Sequence, residues 1–153
     1  MMEYSKHFYI TLFINASQKV RSSNTLAEFT IELAQPIYLG STENWEVRLS
    51  EFSCPPPTNG TLKPVSIVGD IKALIYCDLI TQQFVGNDYV RCLRTFIHPS
   101  MYCDHTFQNI NYVPVEKRTL QDISISIADQ KGKPIPFRSG EVPTKVVLHF
   151  LRV

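Results

Sequence analysis

The sequence predicts an all-β fold, a sandwich or barrel, and three observations predict it. Apolar and polar residues alternate with period two in several runs. The connectors between those runs are rich in Gly, Pro, Asn and Ser. Helix signals are almost absent, with ten prolines set against one short helix at most. At 153 residues the chain fits one domain, spanning 1–153. A domain of that size buries roughly 70% of its unfolded surface.

Taken in order, "HFYITLFI" opens the fold as a strand with apolar residues on both faces. "LAEFTIEL" sets Ala27, Phe29, Ile31 and Leu33 against Glu28, Thr30 and Glu32, a strand with one face in the core. "WEVRLSEF" repeats the pattern, with Trp45, Val47 and Leu49 against Glu46, Arg48 and Ser50. "IKALIYCDLI", "YVRCLRTFI" and "FQNINYV" read as strands covered on both sides. "DISISIAD" places Ile123, Ile125 and Ile127 on one face, with Ser124 and Ser126 on the other. "KVVLHFLRV" is the last strand. The connectors "ASQKVRSSN", "SCPPPTNGT", "GND", "HPS", "KGKP" and "RSGEVP" carry the turns, Asp129, Gly132 and Pro134 making a tight set. The count is roughly eight strands. An eight-stranded jelly roll fits that count and length, and an immunoglobulin-like sandwich fits the same pattern.

Composition narrows the function classes. Apolar residues make up 44% and charged residues 19%, a globular balance. The net charge of +1 gives no electrostatic case for specific nucleic-acid binding, and Arg91 with Arg94 read as a solvated strand face. No stretch approaches the roughly 20 apolar residues of a membrane span. The first residues lack a basic region followed by a small-residue cleavage site, so a soluble chain made in the cytoplasm is expected. On that footing the sequons at Asn15 and Asn59 read as chance matches. Cys54, Cys77, Cys92 and Cys103 show no C-x-x-C spacing and read as free, buried thiols.

Chemistry-bearing motifs are missing. Cys103 and His105 flank Asp104, but zinc needs three or four ligands at recognisable spacing, and no histidine pair stands at H-x-H spacing. That argues against a cupin-type metalloenzyme. There is no G-x-S-x-G elbow, no glycine-rich phosphate loop and no carboxylate pair defensible from spacing. The expectation is a protein that is not an enzyme, with no catalytic residue, cofactor or metal.

Ordered words along the chain carry a family resemblance. In the first third they are Phe8, Tyr9, Thr11 and Leu12, then Asn24, Thr25, Phe29, Thr30 and Leu33. Pro36, Ile37 and Leu39 follow, then Trp45, Glu46, Val47, Leu49 and Glu51. "IYCDLITQQFVGNDYVRCLRTF" and "ISISIADQKGKPIPFRSGEVPTKVVLHF" continue the series to the C-terminal strand. Together they resemble the penton-type minor capsid proteins of Polinton (Maverick) elements and adintovirus-like DNA viruses. The resemblance implies a single jelly roll and a homopentamer at each icosahedral vertex, beside double-jelly-roll major capsid trimers. It implies a place in the virion and assembly in the host nucleus. The partners it implies are further copies of the chain, the major capsid protein, and vertex-associated or receptor-binding proteins. Family members are often longer, and this chain spans little more than the jelly roll.

A cyclic pentamer joins two different flanks of each subunit. The two-faced terminal strands nominate Phe8, Tyr9, Ile10, Leu12, Val147, His149 and Leu151 for that contact; the bland reading of the same residues is a strand covered within the monomer. The competing function is a jelly-roll attachment or glycan-binding module, with Tyr89, Tyr102 and Tyr112 stacking on sugars.

Overall fold

A computed structural model describes residues 6–14, 23–55, 71–98, 103–137 and 143–153. The sequons at Asn15 and Asn59, Tyr102, and the side chains of His98 and Cys103 lie outside the described residues.

Eleven strands and no helix occur among those residues. They are β1 (His7–Ile14), β2 (Glu28–Tyr38), β3 (Trp45–Cys54), β4 (Ile71–Cys77), β5 (Gln83–Val85) and β6 (Asp88–Val90). The rest are β7 (Cys92–His98), β8 (Cys103–Thr106), β9 (Val113–Pro114), β10 (Thr119–Ala128) and β11 (Thr144–Arg152). One sheet runs β1-β11-β3-β8, with the short β9 also on β3; the other runs β2-β10-β4-β7. All pairings are antiparallel. The chain changes sheet between β1 and β2, β2 and β3, and β3 and β4, so sheet neighbours are mostly distant in sequence.

The period-2 runs form the inner faces. Phe29 of β2, Val47 and Leu49 of β3, Ile123, Ile125 and Ile127 of β10, and Val146, Leu148 and Phe150 of β11 all enter one core. Phe52 and Phe150, among its largest members, are fully buried. Each such side chain contributes roughly 1.5–3 kcal/mol by leaving water. Polar groups settle locally. Trp45 Nε1 donates to the Leu39 carbonyl at 2.8 Å. The buried Asn24 side chain both donates to the Thr30 carbonyl and accepts from its N–H, each at 3.1 Å. That arrangement satisfies part of the otherwise open edge of β2.

Several expectations are corrected. "HFYITLFI" is not apolar on two equivalent faces: Ile10, Leu12 and Ile14 are buried, while Tyr9, Thr11 and Phe13 point outward. "FQNINYV" is not a strand. Only Val113 is in one, paired with Val47 of β3; the run holds two asparagines, bonds to β3 again only at its start, where the Phe107 N–H donates to the Ser50 carbonyl and the Phe107 carbonyl accepts from Arg48, and leaves Ile110 68% exposed. "IKALIYCDLI" ends as a strand at Cys77, and Leu79 and Ile80 reach the core from the following turn. The segment from Gln83 to Val90 makes a separate two-stranded hairpin, turned at Gly86 with φ of 62°.

Candidate functional site

Two flanks close the sandwich. β1 and β2 are the outer strands on one side, and β8 and β7 on the other. The second side is fixed by direct contact: the Phe96 ring of β7 packs on His105 of β8 and on Phe107, which follows it.

The first flank is built from β1 and its neighbour β11. Their register sets Tyr9 opposite His149 and Thr11 opposite Val147. On the inner side Phe8 stacks on Phe150 at 4.7 Å and leans on Trp45 at 5.3 Å. On the outer side the Tyr9 ring stacks on His149 at 4.3 Å. His149 Nδ1 bonds the Tyr112 hydroxyl at 2.8 Å, and its Nε2 lies 3.3 Å from His7 Nδ1. Burial, then Arg48, then His7 hold His149 below the usual histidine range, since each disfavours a charged ring. Of the seven residues nominated from sequence, Phe8, Ile10 and Leu12 point inward, the latter two into the core. Tyr9, Val147, His149 and Leu151 share the outer face, where Val147 and His149 are buried and Leu151 half-buried. Tyr9 is 55% exposed, and beside it Phe13 is 50% exposed. Alternation along β1 was the signal that could have added Phe13.

The opposite flank is cationic; sequence reading raised Arg94 there only with Arg91, as a solvated strand face, and His105 only beside Cys103, and did not bring Arg48 to them. Arg48 of β3 sits opposite His149 in register, its guanidinium 5.7 Å from the centre of the Tyr112 ring. It donates to the Phe107 carbonyl at 3.4 Å. Arg94 of β7 lies 4.0 Å over the Phe107 ring and donates to the Asn109 carbonyl at 2.9 Å. Burial and the nearby Arg48 charge lower the Arg94 pKa. Arg48 Nε and His105 Nε2 are buried without a hydrogen-bond partner. Ile97, 60% exposed, lies farther along β7 on the strand's other face.

Two further features stand apart. A groove of about 430 Å³ on the outer face of the second sheet is lined by Glu28, Thr30, Tyr76, Asp78, Ser124 and Ser126. The groove's polar groups largely satisfy one another. Thr30 and Ser124 share a 2.8 Å bond, and Asp78 accepts the Ser124 N–H and pairs with Lys117. On the β5–β6 hairpin, Phe84 and Tyr89 stack at 4.8 Å and are both exposed. Tyr112 is tied into the His149 cluster instead. Among the described residues no three His, Cys, Asp or Glu side chains gather as a metal site. No helix among them is long and apolar enough to cross a membrane.

No family model matches the chain, and no curated protein matches it. Among solved structures, it is similar to the crystal structure of the selenomethionine-labelled mavirus penton protein. The two share 8% sequence identity at a TM-score of 0.62, over 96% of this chain and 100% of that one. What they share is the fold, along nearly the whole length of both.

Proposed function

We propose that the chain is a structural minor capsid protein of penton type, a single jelly-roll domain over 1–153 that forms homopentamers at icosahedral vertices. The observation that carries this reading is the end-to-end likeness to the mavirus penton protein. The sheet orders β1-β11-β3-β8 and β2-β10-β4-β7 support the jelly roll, since they distribute eight strands over two sheets as paired Greek keys do. The resemblance of the sequence words to Polinton and adintovirus-like pentons points the same way. The role is non-catalytic, the virion is its destination, and double-jelly-roll major capsid trimers are its neighbours. Nuclear assembly rests on the resemblance alone.

In this pentamer the outer face of the β1 flank meets the neighbour's β7/β8 flank. Tyr9 and Leu151 take part directly, joined by Phe13, with the buried Val147 and His149 behind them, while Phe8, Ile10 and Leu12 hold β1 in place from within. Two half-exposed aromatic rings on an edge strand favour association over an isolated surface. Native mass spectrometry tests the proposal. A species of five times the 17.5 kDa chain mass is expected, alone or with a double-jelly-roll major capsid protein added. A chain that stays monomeric and fails to co-assemble would overturn it.

A second reading, an attachment module for glycans, is favoured by the exposed Phe84–Tyr89 pair, which offers ring faces for sugar stacking. Saccharide binding that is lost in Tyr89→Ala, by a chain that never oligomerises, is the outcome that would replace the first reading with this one.

A further inference from the structure

Four described cations have carboxylate partners: Arg91 with Glu116, Lys117 with Asp78, Lys145 with Glu51 and Arg152 with Glu43. Among the described residues the other Lys and Arg form no such pair, and of these only Arg48 and Arg94 are not exposed. Both are half-buried, close enough for one charge to act on the other, and among the described residues bonded only to main-chain carbonyls. Neither Glu46 nor Asp104 of the same sheet forms an ion pair with them. A guanidinium presents five donors in a fixed fork that suits carboxylate oxygens.

Carboxylates in the complementary condition stand on the other flank. Glu28 and Glu32 point outward from β2, are exposed, and form no ion pair among the described residues; Glu28 only accepts a 3.5 Å bond from the Ser126 hydroxyl. Within one copy they cannot serve Arg48 and Arg94. β2 and β7 are opposite edges of a four-stranded sheet, three strand spacings or roughly 14 Å apart. A heterologous ring contact brings such opposite flanks of two copies together.

We propose that Arg48 and Arg94 form a carboxylate-receiving site completed by a second copy of this chain, with Glu28 and Glu32 of the neighbour's β2 as the occupants. The proposal rests on the pentamer reading and adds to it the polarity of the contact: an acidic β1/β2 flank faces a basic β7/β8 flank around the ring. Charge pairs of this kind set register and exclude the reversed, like-to-like contact.

Charge reversal tests it by native mass spectrometry and sedimentation. Glu28→Arg with Glu32→Arg lies wholly on exposed positions, so its monomer keeps its fold, checked by its melting curve. It is expected to raise the concentration of half-dissociation about tenfold or more. Arg94→Glu is expected to do the same. Combining the three substitutions is expected to restore most of the lost assembly, as a coupled pair requires. A wild-type pentamer indifferent to reversal on either flank would overturn the pairing and leave the pentamer standing, as would a combination no better than its worse parent. A wild-type chain monomeric under every condition overturns the pentamer reading and the pairing with it.

Discussion

His149 is the residue where the environment acts most visibly on chemistry. Its neighbours are Tyr9 and His7 on β1, Arg48 on β3 and Tyr112 before β9, and the two positive or protonatable groups among them disfavour a second charge. Its folded pKa lies below the ordinary 6.5, so the unfolded chain takes up this proton first as pH falls. The stabilisation is complete above about pH 6.5 and is lost as pH drops through the folded value. We expect the melting temperature to fall across that window and to fall less in His149→Gln; a midpoint flat with pH in the wild type would contradict this. Cysteines behave in the opposite sense. Burial pushes the Cys77 thiol up to about 12, and Cys54, Cys77 and Cys92 are all buried. At about pH 8 a thiol reagent is therefore expected to leave these three unmodified in the native chain and to reach them on unfolding, as peptide mass mapping would show. Native-state labelling of Cys77 would count against its burial.

At the scale of elements, legibility followed how one-sided each strand is. The inner half of β10 was read correctly from "DISISIAD", though the strand begins earlier, at Thr119, because its three isoleucines face the core while Ser124 and Ser126 face the groove. Replacing Ile125 by Ala, at 2% exposure between β2 and β4, is expected to cost about 2–5 kcal/mol in denaturant unfolding. A loss below about 0.5 kcal/mol would mean the site collapses around the gap. The turn after β10 was also legible. Asp129 accepts the N–H groups of Lys131 and Lys133, and Gly132 takes a φ of 80° that side chains rarely adopt. β1 was misread because Tyr9 and Phe13 are apolar enough to mimic burial, and hydrophobicity alone does not tell an interior ring from an exposed one. The run 107–113 was misread for a related reason: Phe107 and Tyr112 are held by side-chain stacking, cation–π contact and the His149 bond, not by strand pairing.

For the whole molecule, the proposed pentamer requires two unlike flanks on each copy, and this sandwich has them. The aromatic and acidic side at β1 and β2 and the cationic side at β7 and β8 are arranged head to tail, which a ring of identical copies can close. The sequence by itself determined the all-β class, most long strands, their inward faces and the absence of familiar catalytic motifs. It did so because alternation and turn chemistry are local, written within a few neighbouring residues. Only the tertiary structure decided which strands lie at the edges, and that Arg48, Arg94, His105 and Phe107 meet on one flank while Glu28 and Glu32 stand on the other. Those partners come from strands far apart in the chain, brought together by crossings between sheets. No local pattern encodes such meetings, because they follow from the order of strands in space and not from their order in sequence.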